Sequence, residues 1–309
     1  MKSKWNVVFC VLCISMVFAV SGCAKSKAVW YVQSGYERTW NQVLRTGKPP
    51  VAFRDVQVWD EIGIPPDHGF LITTAPWEKT NKVDVYPNLS YTLEYSGAAV
   101  LALDPWMIFR KHINPGLTAN RVYPDTGGDG FLLIPGKDTR YTQAWTARLV
   151  QKSPGEFPAD DAVWQNCENN LFKGSRFPNG ANSYNWQDVL FRLMGSERAW
   201  VYAPLSAIRD YRNPQKAVLE ATAFPEIPGN KQYSLHADKI LWALPIGTDR
   251  EKSKLAPVLK WLKNPATQTV IADALGWIPA DPYGTPFDPV SLSSHRNWLT
   301  AKYIYVVNY

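Results

Sequence analysis

The sequence predicts an α/β protein with two lobes, and three observations lead to this prediction. Segments rich in β-branched and aromatic residues alternate with segments of helical periodicity along the chain after residue 22. Of the 309 residues, 46% are hydrophobic and 13% aromatic, which excludes an intrinsically disordered chain. A chain of this length suffices for one large or two ordinary domains. Strands separated by helices favour α/β layers over a β-sandwich.

The predicted strands are short apolar segments between turn residues. They cover Ala28–Gln33, Gly69–Thr74, Gly97–Leu103, Gly130–Ile134, Ala199–Tyr202, Ile240–Ile246 and Tyr303–Val307.

The helices are predicted from capping residues that precede apolar residues at helical spacing. Asp104-Pro105 is interpreted as an N-cap and a first helical position, which opens a helix over Trp106–His112. Three further helices are predicted in the second half of the chain: one between Asn185 and Gly195, one containing Leu255–Leu262, and one from Asn264-Pro265 to Gly276.

The first 22 residues are predicted to be an export signal. A basic start precedes an apolar run over residues 5–20. The Val20-Ser21-Gly22 segment before Cys23 resembles the bacterial lipobox, which implies cleavage before Cys23 and diacylation of its thiol. Two or more acyl chains anchor a protein stably to a bilayer. An uncleaved membrane anchor is the alternative, and the small residues before a cysteine disfavour it.

The cysteine count predicts a mature fold without an internal disulfide. Cys10 and Cys13 leave with the export signal, and Cys23 carries lipid, so Cys167 remains alone. An unpaired cysteine is usually a small buried apolar residue, and Cys167 is expected to be one.

Charge and motif content argue against several function classes. The formal net charge is +6 without a cluster of Lys or Arg, which gives little reason to expect nucleic-acid binding. The four histidines are scattered, and Asp125–Gly130 is interpreted as a tight turn because Gly136 stands where a calcium loop needs a carboxylate. No nucleophile–base pair stands out by spacing. We therefore expect no metal, no cofactor and no enzymatic activity.

An ordered set of blocks resembles one protein family. Leu255–Gln268 is similar to a helix pair of that family, and Ala274–Ala280 to the Gly-Trp-x-Pro-Ala segment that follows it. The upstream blocks resemble family segments in the same order: Val85–Tyr91, Gly97–Phe109, Gly130–Pro135 with Trp145, Gly195–Pro204 and Phe224–Gly229. Over residues 80–285 the chain thus resembles the extracellular solute-binding proteins of bacterial carbohydrate ABC importers (family 1, maltose-binding-protein-like).

The resemblance implies a two-lobed periplasmic-binding-protein-like fold with crossing hinge strands. It divides the chain into a signal peptide (1–22), lobe 1 (23–92), lobe 2 (93–240), a return to lobe 1 (241–278) and a lobe 2 segment (279–309). The first lobe is shorter than is usual in this family. Leu205 stands where many sugar binders have Trp, and His236–Lys239 replace a Gly-Gly loop.

The resemblance also indicates which residues face the cleft between the lobes. Aromatic rings cover the apolar C–H faces of a sugar, and short polar side chains bind its hydroxyls. Tyr202 is preferred over Trp200 as a ligand contact. The predicted ligand-binding residues are Tyr86, Asn88, Tyr91, Glu94, Tyr141, Trp145, Tyr202 and Trp242.

The function implied by the resemblance is capture of a mono- or oligosaccharide and its delivery to the permease subunits of an ABC transporter. Acylated Cys23 would hold the protein to a membrane, at the bacterial periplasm or cell surface. The alternative is a surface lipoprotein, an antigen or adhesin, that keeps the fold without transport.

Overall fold

The computed structural model describes residues 29–50, 56–60, 68–74, 82–87, 97–111, 131–153, 155–174, 177–196, 199–211, 219–222 and 234–308. The chain divides into two compact units. Unit 1 spans Met1–Ile72 and Leu244–Trp261, and unit 2 spans Thr73–Ala243 and Leu262–Tyr309. The lobes expected from the sequence, with boundaries at residues 92, 240 and 278, remain a prediction.

Strands and helices alternate along the described chain, as predicted for an α/β protein. The strands are β1 (Trp30–Gln33), β2 (Gln57–Trp59), β3 (Gly69–Thr73), β4 (Val83–Pro87), β5 (Ala99–Lys111), β6 (Phe131–Leu133), β7 (Ala199–Pro204), β8 (Leu219–Thr222), β9 (Ser234–Ile246), β10 (Ile278–Pro279) and β11 (Tyr303–Val307). The helices are α1 (Glu37–Gly47), α2 (Thr139–Val150), α3 (Asp161–Asn169), α4 (Trp186–Gly195), α5 (Asp249–Leu262), α6 (Pro265–Leu275) and α7 (Pro289–Thr300).

Unit 1 is built around a parallel strand trio. Strand β1 lies between β2 and β3 and is parallel to both. Trp30 of β1 is fully buried, and its ring stacks on Phe70 with a centroid distance of 5.0 Å. Trp261 of α5 meets the Trp30 ring edge-on at 6.5 Å and donates its indole N–H to the carbonyl oxygen of Gly47. The aromatic side chains therefore tie α1 and α5 to the strands of this unit.

Unit 2 is organised by the 13-residue strand β5. Its first half pairs antiparallel with β9, and its second half pairs antiparallel with β7 and β8. Strand β6 runs parallel to β7, and β11 runs parallel to β9. All residues from Ala99 to Phe109 are buried, which is typical of a strand covered on both faces.

The predicted helix over Trp106–His112 is wrong, because Trp106 to Lys111 belong to β5 and His112 lies outside the described residues. Pro105 lacks an N–H donor, and it is tolerated because the pairing of β5 with β9 is irregular between Asp104 and Pro105. The Asp104 carboxylate accepts hydrogen bonds from Ser206 rather than from the start of a helix.

The other predicted helices and all seven predicted strands are present. Asn185 caps α4 in a capping box with Asp188, in which each side chain accepts the other residue's backbone N–H at 2.9 Å. Asn264 caps α6, and Gly276 ends it with φ of 74°. These local signals suffice because they do not depend on distant partners. Strands β2, β4, β8 and β10 were not predicted.

Cys167 of α3 is half-buried rather than buried. It packs against a core cluster that includes Trp164 and Tyr305, so its surroundings are apolar as predicted. Within the described ranges, no helix has both the length and the apolar character to cross a bilayer.

Candidate functional site

Five aromatic rings of unit 2 form a continuous stack, which we call the aromatic stack. Trp186 stacks on Tyr141 at 5.4 Å, and Tyr141 meets Trp106 edge-on at 5.1 Å. His236 lies between Trp106 and Tyr305, at 4.9 and 4.8 Å, with its ring within 7° of parallel to both. Trp186 is half-buried, whereas the other four residues are at most 4% exposed. The stack therefore runs from the protein surface into the core.

Secondary structure positions each ring of the stack. His236 and Tyr305 are register partners in the parallel pair of β9 and β11, so their side chains lie on one face of the sheet. Asp138 caps α2 by accepting the backbone N–H of Arg140, which places Tyr141 in the first turn of the helix. The capping box described above fixes the start of α4 and hence Trp186.

Two buried carboxylates lie beside the aromatic stack. Asp104 of β5 is 1% exposed and Asp238 of β9 is 6% exposed. Ser206 donates its backbone N–H and its hydroxyl to the two oxygens of Asp104, at 2.9 and 2.5 Å. Asp238 accepts the indole N–H of Trp106 at 3.2 Å. Buried carboxylates need such donors because removing them from water is costly.

The buried position changes how these groups titrate. Burial, and then the charge of Asp238, raises the pKa of Asp104 from 3.8 to about 7. Burial, and then the charges of Arg140 and Arg148, lowers the pKa of His236 well below 6.5. The Nδ1 atom of His236 is 3.1 Å from the Tyr202 hydroxyl, so the neutral imidazole has a hydrogen-bond partner. At neutral pH the site contains a neutral histidine and a carboxyl group close to its titration midpoint.

Arg140 connects the buried carboxylates to the surface. Its Nε donates to Oδ1 of Asp238 at 2.7 Å, and its Nη2 lies 2.6 Å from Oδ2, so the ion pair is bidentate. The guanidinium also lies 5.9 Å from the centre of the Trp106 ring. The Arg140 side chain is 35% exposed, in contrast to 1% for that of Asp238. Arg140 and the half-buried Ser206 are thus the polar groups through which this network reaches solvent.

Three of the predicted ligand contacts lie in or against the aromatic stack but are buried. Tyr141, Trp145 and Tyr202 are 4%, 2% and 1% exposed. Trp145 meets Tyr202 edge-on at 5.3 Å, and Tyr202 lies 5.0 Å from Trp106. Their contacts in the described structure are therefore those of core residues. The ligand role predicted for them remains a prediction.

The remaining predicted contacts form a separate pair or lie outside the described residues. Tyr86 of β4 is half-buried, and its ring is 6.3 Å from that of Trp242 of β9. Trp242 is 8% exposed. Asn88, Tyr91, Glu94 and Cys23 lie outside the described residues.

The sequence analysis missed the polar members of the site. By sequence alone Asp104 resembles a helix cap, and Asp238 lies in the His236–Lys239 segment that replaces a Gly-Gly loop. A usable signal was present, because a charged residue inside a long apolar run is rare unless it is paired. Asp104 lies in such a run, between Ala98 and Phe109. Nothing local distinguishes Arg140 from other arginines.

The described residues contain no group of three or more His, Cys, Asp or Glu side chains arranged to hold a metal ion. The site combines the half-buried ring of Trp186, the guanidinium of Arg140 and the hydroxyl of Ser206. Groups of these kinds are able to bind a ligand through stacking and hydrogen bonds.

Solved structures similar to this chain are bacterial binding proteins. The solute receptor AcbH, which prefers β-D-galactopyranose, superposes with a TM-score of 0.60 at 12% identity, over 90% of this chain and 86% of that one. The putative binding protein MsmE from Bacillus subtilis, in an open conformation, gives 0.58 at 13% identity, over 92% and 88%. Maltose-bound MalE3 from T. maritima gives 0.52 at 14% identity, over 89% and 88%.

No protein-family model and no curated protein sequence matches the chain. At these identities the structural likeness establishes the fold. The chain has the α/β fold of the solute receptors and sugar-binding proteins to which AcbH and maltose-bound MalE3 belong.

Proposed function

We propose that the protein is a lipid-anchored solute-binding protein that captures a carbohydrate and delivers it to an ABC transporter permease. The fold supports this proposal, because AcbH binds a galactopyranose and MalE3 binds maltose on the same architecture. Fold alone does not define function, which depends on the chemistry of the site.

The observation that carries the proposal is the ion pair of Arg140 with the buried Asp238 beside the aromatic stack. A sugar offers apolar C–H faces and a rim of hydroxyl groups. The half-buried Trp186 at the outer end of the stack offers a ring for a C–H face, and Arg140 and Ser206 offer polar groups for hydroxyls. The Arg140 donor is already oriented by Asp238, which reduces the entropy lost on binding.

The site favours binding over catalysis. The Ser206 hydroxyl donates to Asp104, and the His236 ring is enclosed between Trp106 and Tyr305. A serine nucleophile is usually activated by a histidine that a third group orients. Within the described part of the chain, His236 bonds the Tyr202 hydroxyl and not Ser206. We therefore propose that ligand capture, rather than a reaction, is the function of this site.

Binding is tested by isothermal titration calorimetry with a panel of glucose, galactose, maltose, maltotriose and raffinose. At least one sugar should bind and quench tryptophan fluorescence. Mass spectrometry of small molecules released from natively purified protein extends the search beyond the panel. No binding over the panel, together with no co-purified saccharide, would contradict the proposal.

The anchor is tested separately through Cys23. Wild-type protein should partition into the membrane fraction and incorporate labelled palmitate, whereas Cys23→Ser should do neither. Cys167→Ser is the matched control, because that cysteine lies in the folded part of the chain. Delivery to a permease is tested by uptake of the bound sugar in cells that lack the protein, which wild-type protein should restore and Cys23→Ser should restore poorly.

A further inference from the structure

The guanidinium of Arg140 is held on one edge and open on another. Its Nε and Nη2 atoms face the two oxygens of Asp238, as described above. Among the described residues, its third nitrogen, Nη1, has no hydrogen-bond partner within the protein. The side chain is 35% exposed, so part of it is in contact with solvent. A guanidinium oriented by two hydrogen bonds presents its remaining donors in a defined direction.

A gain in stability is a weak explanation for this arrangement. Burial of a carboxylate has a desolvation cost that an ion pair often fails to recover, so replacing a buried pair by apolar residues is frequently neutral or stabilising. Here two buried carboxylates lie near a single partly exposed arginine: Asp238 pairs with it, and Asp104 acts on it through its charge. Titratable groups perturbed by burial and by a specific charge partner are enriched at functional sites, which favours a role in binding for this cluster.

Asp238 and Asp104 offset the positive charge of Arg140 itself. Asp238 of β9 pairs with the guanidinium, and Asp104 of β5 is close enough for its charge to act on both groups. Tyr141 is a neutral phenol at physiological pH, and burial raises the pKa of its hydroxyl further. Lys239, opposite Asp104 in the pairing of β9 with β5, is exposed. Burial, and then the charge of Asp238, raises the pKa of Asp104 to about 7, so Arg140, Asp238 and Asp104 together carry a net charge between zero and minus one over the physiological range. The buried Arg148 acts on His236, the neighbouring group of the site.

We infer that Arg140 is the specificity-determining residue of the site, and that Asp238 neutralises and orients its guanidinium so that it donates to neutral ligand oxygens and does not capture carboxylates. This inference rests on the proposed function and assigns roles within that site. Arg140 touches the ligand through its open edge, and Asp238 acts through Arg140 as a positioning residue. The ligand selected in this way is an uncharged sugar rather than a sugar acid.

Calorimetry with matched ligand pairs tests the inference: glucose with glucuronic acid, and galactose with galacturonic acid. Wild-type protein should bind a neutral sugar at least about tenfold more tightly than its acid. Arg140→Lys keeps the charge but loses the fork of donors, and it should weaken neutral-sugar binding about tenfold or more. Arg250→Lys, an exposed arginine of α5, is the matched control and should change neither affinity.

Asp238→Asn gives a readout that a purely structural role would not produce. Asparagine keeps an oxygen acceptor for the Trp106 N–H, but it removes the negative charge that neutralises Arg140. The ratio of sugar-acid to neutral-sugar affinity should therefore rise in this variant, even if total affinity falls. Circular dichroism and the melting temperature confirm that each variant is folded, and Arg140→Lys carries the test if Asp238→Asn does not fold.

The outcomes separate the inference from the proposed function. If a neutral sugar binds and Arg140→Lys binds it as tightly as wild type, the inference is wrong while the proposed function stands. If wild-type protein binds a sugar acid more tightly than the corresponding neutral sugar, the inference is also wrong and the proposed function stands. If no sugar of the panel and no co-purified saccharide is found, both are overturned.

Discussion

Ser206 satisfies both oxygens of the Asp104 carboxyl group from a position 102 residues further along the chain. Its backbone N–H and its hydroxyl are the two donors, and both bonds hold the carboxyl group at the junction of β5 with the 3-10 helix over Leu205–Tyr211. These bonds lower the pKa of Asp104, but burial and the charge of Asp238 raise it by more. The charged form of Asp104 is thus hydrogen-bonded but is still destabilised by burial and by Asp238.

This balance predicts a pH dependence of stability. The pKa of Asp104 is about 7 in the folded state against 3.8 for an unperturbed carboxyl group, so between these values the folded protein holds more of this proton than the unfolded chain. The contribution of Asp104 to stability is therefore present at low pH and is lost as pH rises towards 7, by up to about 1.4 kcal/mol per pH unit. Urea unfolding of wild type and Asp104→Asn from pH 4 to 8 measures it.

The difference between the two proteins isolates Asp104. Because His236 has a lowered pKa, its contribution has the opposite sign and is lost as pH falls below 6.5. This contribution is present in both proteins and cancels in the difference. The unfolding free energy of Asp104→Asn minus that of wild type should grow as pH rises to about 7. A difference that is independent of pH would show that Asp104 does not titrate in this range.

Trp145 should be important for stability. It is 2% exposed and packs edge-on against Phe177 and Tyr202, at 5.4 and 5.3 Å. Replacing it by alanine should lower the free energy of unfolding by about 3–5 kcal/mol, because a large cavity forms. Phe191→Ala is the control, since Phe191 is 83% exposed and its loss should change stability by less than about 0.5 kcal/mol. Equal effects in chemical denaturation would contradict the assignment of Trp145 to the core.

The capping box of α4 should contribute about 1 kcal/mol. In Asn185→Ala both reciprocal bonds with Asp188 are affected, because the side-chain acceptor is lost and the helix start is no longer fixed. Asn182→Ala, at an exposed asparagine of the preceding 3-10 helix, is the matched control. The two variants are compared by thermal unfolding. Because α4 carries Trp186, sugar binding by Asn185→Ala should also weaken if Trp186 contacts the ligand.

Gly69 at the start of β3 should not tolerate a side chain. Its φ is 124°, and an added Cβ would lie 2.4 Å from the carbonyl oxygen of Val29. Backbone strain alone is expected to cost about 1–3 kcal/mol. Gly69→Ala should lower the free energy of unfolding of unit 1 by more than this, because the clash adds to the strain. Gly35→Ala separates the two effects, because Gly35 has φ of 91° but no atom within 4 Å of the added Cβ. Similar losses in both variants, measured by urea unfolding, would show that the close approach to Val29 does not matter.

The predictions from sequence succeed where the determinants are local. Asn185 and Asn264 each mark the start of a helix, because their side chains accept a backbone N–H of the first turn. Gly276 ends a helix because it adopts a left-handed φ of 74°. Asp104-Pro105 has the same local appearance, but the segment after it is a strand. The reason is that β5 has pairing partners on β7, β8, β9 and β10, and this pairing outweighs the local preference.

The candidate site could be predicted only in part for the same reason. Tyr141, Trp145 and Tyr202 were selected as aromatic residues, and the structure brings them together around Trp106. The bond from Arg140 to Asp238 spans 98 positions, and that from Trp106 to Asp238 spans 132. No pattern within a short window of sequence encodes contacts of this range, so the polar half of the site was found only in the structure.

The sandwich of His236 between Trp106 and Tyr305 has a consequence for biosynthesis. Its two outer rings come from β5 and β11, and roughly two thirds of the chain separates them, so an emerging polypeptide exposes the imidazole until β11 has been made. The His236 ring is therefore enclosed on both faces only after Tyr305 has been synthesised. In a chain shortened before Tyr305, one face of the His236 ring would be exposed to water, and its pKa would rise towards the ordinary value of histidine.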